Sequence, residues 1–136
     1  MKKCLVALLL IALVVSACTA KNEGSSNSLI GSWKLTSYSR ADVLTPAVTD
    51  TESGLTFNED GTVTGNSGCN SLGGNYKVEG DQVTFDQIVS TLMACDEARM
   101  AQEGAVQQVL TNTATYKIEG NTLTLTNNDV VLVLAH

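Results

Sequence analysis

From Leu29 onward, apolar and polar positions alternate with a period of two. Leu29, Trp33 and Leu35 alternate with Ile30, Ser32, Lys34 and Thr36, which predicts a first strand with one buried face. Arg40 to Ser53 holds the single proline, Pro46, and little pattern, so a long loop is expected there. Leu55, Phe57 and Val63 then flank Asn58-Glu59-Asp60-Gly61, a turn signal between two short strands. Tyr76-Lys77-Val78-Glu79-Gly80-Asp81-Gln82-Val83-Thr84-Phe85 recurs as Tyr116-Lys117-Ile118-Glu119-Gly120-Asn121-Thr122-Leu123-Thr124-Leu125. Each copy reads as a hairpin whose second strand alternates Thr with Val, Phe or Leu, as a sheet with one buried and one wet face requires. Two copies are too few for a solenoid or propeller.

One segment has helical spacing. Asp96 is placed to cap it, Glu97 complements the positive end of its dipole, and Ala98, Ala101, Ala105, Val106, Val109 and Leu110 recur along it before Asn112. The last run, Val130 to Leu134, is apolar at every position, so both faces of that strand are expected to be covered, with the helix as the cover. The fold class expected is α+β, mostly β: an antiparallel meander curled into a half-barrel with one packed helix, spanning residues 29–136.

The pattern is interrupted at Gly65-Asn66-Ser67-Gly68-Cys69-Asn70-Ser71-Leu72-Gly73-Gly74-Asn75-Tyr76. Glycine at that density marks a sharp, ordered turn. It answers to Ser90-Thr91-Leu92-Met93-Ala94-Cys95, which holds the other cysteine expected in the folded domain.

The start of the chain has a different character. Lys2 and Lys3 precede the apolar run Leu5 to Val15, which is short of the roughly 20 residues that cross a bilayer core. The run ends in Val15-Ser16-Ala17-Cys18, which resembles a bacterial lipobox; the alternative is an ordinary signal peptide with Cys18 incidental. Residues 1–17 are therefore expected to be a lipoprotein signal peptide, and residues 18–28 a lipidated Cys18 with a polar tether. Thr19, where Asp is the familiar inner-membrane retention signal, leans toward the outer membrane facing the periplasm. The net charge is −6, and loss of Lys2 and Lys3 makes the remainder more acidic. Such a domain repels phosphate backbones, so no nucleic-acid partner is expected, and membrane attachment falls to the lipid on Cys18.

Outside the cytoplasm Cys69 and Cys95 are expected to pair, closing a loop worth on the order of 3–4 kcal/mol. Two free buried thiols and a reactive cysteine are the alternatives. No Cys-x-x-Cys is present. The single histidine, His136, is C-terminal and expected to be mobile, which leaves no partner for a thiol nucleophile and no zinc site of ordinary type. The Gly65–Tyr76 stretch lacks Gly-Lys-Ser/Thr and opens no helix, so it is not a phosphate loop. No catalytic residue, metal site or cofactor is expected.

Gly31-Ser32-Trp33, Phe57 with Gly61, Gly65-Asn66-Ser67-Gly68-Cys69-Asn70, Gly74-Asn75-Tyr76, Thr91-Leu92-Met93-Ala94-Cys95, Glu103 and Leu110 together resemble the META domain, the family of the heat-inducible envelope protein HslJ. The resemblance covers about Leu29 to Leu134. It implies a β-rich half-barrel with a helix, similar in shape to secretin pilot lipoproteins, and an envelope role linked to stress or to novobiocin tolerance. It carries no catalytic residues. Cys69, Asn70 and Cys95 are its motif positions, with Asn70 the candidate binding residue. Val106 stands where an aromatic is common, which implies a looser helix–sheet contact. The leading expectation is a non-enzymatic lipoprotein that binds an envelope protein or an apolar segment. A lipocalin-like carrier of a small apolar ligand, suggested by Gly31-Ser32-Trp33, is the alternative, and a thiol enzyme using Cys69 or Cys95 is the third reading.

Overall fold

The computed structural model of the protein describes residues 28–136. The expected leader, Cys18 and the tether as far as residue 27 lie outside the described residues. Among these, the order is β1 (Gly31–Arg40), β2 (Val43–Pro46), β3 (Gly54–Phe57), β4 (Thr62–Asn66), β5 (Ser71–Glu79), β6 (Gln82–Ser90), α1 (Glu97–Val109), β7 (Thr113–Glu119), β8 (Thr122–Asn127) and β9 (Val130–Ala135).

All pairings are antiparallel, and they run around a circuit: β1-β3-β4-β5-β6-β7-β8-β9 and back to β1. The sheet is therefore a closed eight-stranded barrel with one extra strand, not the expected half-barrel. Closure comes from β9, which pairs with β8 from Thr122↔Ala135 to Asn127↔Val130 and with β1 from Lys34↔Ala135 to Arg40↔Val130. A strand with partners on both edges exposes no backbone there. On its other edge β1 serves two partners end to end, β3 over Gly31–Lys34 and β2 over Ser37–Arg40. The register with β9 shifts between Leu35 and Ser37, near that handover. The expected loop at Arg40–Ser53 thus contains a strand. Its turn, Ala41-Asp42, has positive φ at both residues (49° and 62°) without the Asn or Gly that usually announces such a turn.

Trp33, Leu35, Leu55, Phe57, Val63, Val83, Phe85, Leu123, Leu125, Leu132 and Leu134 are all buried in one core cluster. An eight-stranded barrel is just wide enough for side chains to fill, and here they fill it. Phe57 meets Tyr76 edge-on at 5.0 Å between ring centroids. Ala105, Val106, Val109 and Leu110 of α1 join the same cluster. Val106 faces Leu35, Leu55, Leu132 and Leu134 across a gap with no room for a water molecule. So α1 packs on the core side of β9 and does not cover its outer face, where Val131 and Val133 remain half-buried.

Another group of contacts is built on Trp33. Its Nε1–H donates to the Leu29 carbonyl at 2.8 Å, and the His136 ring lies 3.7 Å from it, centroid to centroid. His136 Nδ1 is 2.9 Å from the Ser32 carbonyl, and its backbone N–H donates to Asn121 at 3.1 Å. The expected mobile terminus is instead a lid on the tryptophan.

Because alternate amides of β9 bond to β1 and to β8, every amide from Val131 to Val133 should exchange slowly with deuterium. Fast exchange at every second position would mean an unpaired edge and an open barrel.

Candidate functional site

The glycine-rich stretch forms a tight, self-bonded turn between β4 and β5. Ser67 N–H donates to the Asn70 carbonyl at 2.9 Å, Asn70 N–H to Ser67 Oγ at 3.2 Å, and Gly68 N–H to Asn66 Oδ1 at 2.7 Å. Gly68 has φ +106°, and a Cβ there would stand 2.4 Å from Gln102 Nε2, so only glycine fits.

Asn70 is 2% exposed, and its side chain acts as one more strand residue. Oδ1 accepts the Met93 N–H at 2.7 Å and the Thr91 hydroxyl at 2.8 Å. Nδ2 donates to the Met93 carbonyl at 3.1 Å and to both Glu103 oxygens, at 3.0 and 2.8 Å. The two bonds to Met93 reproduce the exchange an antiparallel partner would make. Thr91 N–H donates to the Ser71 carbonyl at 3.0 Å, so pairing with the β5 side runs on past the end of β6.

Two neighbours on α1 tie the helix to this turn. Gln102, fully buried, donates to the Ser67 carbonyl at 2.7 Å and accepts the Val48 N–H at 2.8 Å. Glu103, 4% exposed, receives Asn70 and the Gln107 side chain, the latter at 2.8 Å. Asp96 caps α1, bonding the Arg99 N–H, and Arg99 also pairs with the carboxylates of Asp96 and Asp50. The Arg99 backbone N–H holds the Asp96 carboxyl below its usual range. Stability from this depressed group is present at neutral pH and lost as the pH falls through its lowered value. The disulfide joins Cys69 to Cys95 with Cα atoms 5.9 Å apart, across a sequence separation of 26.

The expected site residues within the described range therefore meet in one place: Cys69 and Asn70 on the turn, Cys95 at the head of the helix. Asn70 spends its polar groups inside the fold, and what it presents to solvent is the segment it holds. Val89 is 69% exposed, Leu92 93% and Met93 57%. Gln102 was not singled out from sequence, although it shares a helical face with Val106 and Val109, an unusual address for an amide.

The META-domain profile matches residues 27–136. The chain belongs to the META-domain family. Among solved structures, this META domain is similar to a protein from Burkholderia xenovorans, with TM-score 0.63 and 24% identity over 77% of this chain and 80% of that one. It is also similar to a duf4847 family protein from Bacteroides vulgatus, with TM-score 0.57 and 18% identity over 78% and 92% of the two chains. A lipocalin-like protein from Bacteroides uniformis follows at TM-score 0.51 and 16% identity, over 79% and 96%. At these identities the likeness is one of fold. No match was found among proteins of curated function.

Asn70→Ala leaves one oxygen of the buried Glu103 carboxylate and both Met93 backbone groups without partners, and should cost about 3 kcal/mol in urea unfolding. Replacing Cys69 and Cys95 together by alanine should cost on the order of 3–4 kcal/mol. Asp96→Ala should lower the thermal midpoint at pH 7, with the gap to the parent protein closing in acid.

Proposed function

We propose that this META-domain protein is a non-enzymatic envelope lipoprotein, anchored by lipid on Cys18, that binds an envelope partner through the apolar strip Val89, Leu92 and Met93. The observation that carries the reading is the contrast between strip and support. Three large apolar side chains stand in solvent on a segment fixed by a disulfide and a buried hydrogen-bond network. Exposed apolar groups on so firm a base are suited to docking, because little ordering entropy is lost on binding. A role in stress or antibiotic tolerance at the outer membrane is part of the same proposal, resting on the family resemblance, the lipobox and Thr19. Cys69 and Cys95 are bonded to each other, which leaves the thiol-enzyme reading without a thiol.

The alternative, a carrier of a small apolar ligand, draws on the barrel and its lipocalin-like neighbour. With the core residues packed against one another, a ligand would use an open cleft of about 420 Å³ whose lining includes Trp33, Leu55, Asn66 and His136. Titration with a fluorescent fatty acid separates the two. Saturable one-to-one binding supports the carrier, and none supports the docking module.

The docking reading is tested in cells with a photo-crosslinking residue at Leu92 and, as a control, at the exposed Lys117. Crosslinks from position 92 that disappear in Cys18→Ala and are lacking from position 117 are expected. The same pattern from both positions would sink the reading. Intact mass of the membrane-purified protein should begin at a lipid-modified Cys18.

A further inference from the structure

The strip has a main-chain edge as well as side chains. β7 pairs with β6 only at Gln82–Thr84, and Phe85 N–H donates to the Asn112 carbonyl at 2.8 Å. Beyond that bond, no described residue pairs with the outer edge of Ile88–Ser90. The inner edge is fully used: Val89 and Ser90 pair with Gly73 and Leu72, Thr91 donates to Ser71, and Met93 is bonded at both groups by Asn70. Main-chain direction alternates along a paired strand. With Thr91 and Met93 turned toward β5, the N–H and C=O groups of Ser90 and Leu92 face outward, with those of Ile88 in line. Ile88 itself is anchored, its Cδ1 filling the space a Cβ on Gly74 would take.

We propose that this edge, Ile88 to Met93, captures an extended segment of another polypeptide by adding it as a strand, deepening the docking reading on which it rests. Unpaired N–H and C=O groups in a row are met by another main chain. Six residues offer on the order of 20 Å of edge, and Val89, Leu92 and Met93 call for apolar side chains on the guest. Exposed Asp86 and Glu97 flank the stretch in sequence; Arg99, the nearest cation along the chain, is paired with Asp50 and Asp96, and Lys77, which shares a cleft with Asp86, is paired with Glu79. The guest is therefore basic as well as apolar. A second copy of this chain fits poorly, since it would bring the same carboxylates together.

The probe is a seven-residue peptide of valines alternating with lysines, titrated into the full chain while amide exchange is followed by NMR. Its controls are a copy N-methylated on alternate main-chain nitrogens and a copy with glutamate for lysine. Binding should slow the amides of Ser90 and Leu92 and leave those of Thr91 and Met93, already bonded, unchanged. N-methylation should weaken binding by about tenfold or more, since two or more hydrogen bonds are lost, and the acidic copy should bind more weakly still. Equal binding of the N-methylated copy would overturn strand addition and leave side-chain docking in place. Equal binding of the acidic copy would overturn the basic guest. If neither valine-lysine peptide binds while crosslinks from position 92 persist, strand addition falls and the docking face stands; if those crosslinks are lacking too, both fall.

Discussion

The side-chain amide of Asn70 is the constraint on which the rest of this site depends. A buried amide must satisfy two donors and two acceptor lone pairs, and here all are matched, by the segment after β6 and by the helix. Oδ1 serves Thr91 and Met93, while Nδ2 serves Met93 and Glu103. The β4–β5 turn, the segment after β6 and the helix are thereby fixed to one another at a point where the sheet has run out of strands. The disulfide from Cys69 to Cys95 joins two of these pieces covalently, the turn and the segment that leads into the helix. The two devices differ in effect. A disulfide acts mainly by limiting the unfolded chain, whereas the amide sets the orientation of Met93 and thus of its neighbour Leu92.

The barrel explains why such a clamp is needed. Closing β9 onto β1 removes two edges, and filling the interior with Leu, Val and Phe leaves little for the ends. Trp33 and His136 stack together in one contact, and the helix joins the core with Ala105, Val106, Val109 and Leu110. A helix of 13 residues with an apolar face this short needs polar anchors to hold its position. Gln102 and Glu103 supply them by reaching the turn rather than the sheet.

Alternation made most strands legible from sequence, because a half-buried strand must alternate: Trp33 with Leu35, Leu55 with Phe57, and the duplicated hairpins. The helix and its Asp96 cap were legible for the same kind of reason. β2 was not, since Val43 and Leu44 are 66% and 67% exposed and show no buried face. Closure was not legible either. It depends on residues as far apart as Lys34 and Ala135, and the doubly apolar β9 could be explained equally by a covering helix. Of the site, the turn, the cysteines and Asn70 stood out as motif positions. The job of Asn70 did not, because nothing local in sequence says that its amide will face Met93 and Glu103.

The most direct measurement is the exchange rate of the Met93 backbone amide, read by NMR in the parent protein and in Asn70→Ala with the disulfide intact. Strong protection is expected in the parent and its loss in the variant, while the amide of Val109 in the helix stays protected in both. A Met93 amide that exchanges freely in the parent protein, or stays protected without Asn70, would contradict the Asn70 clamp.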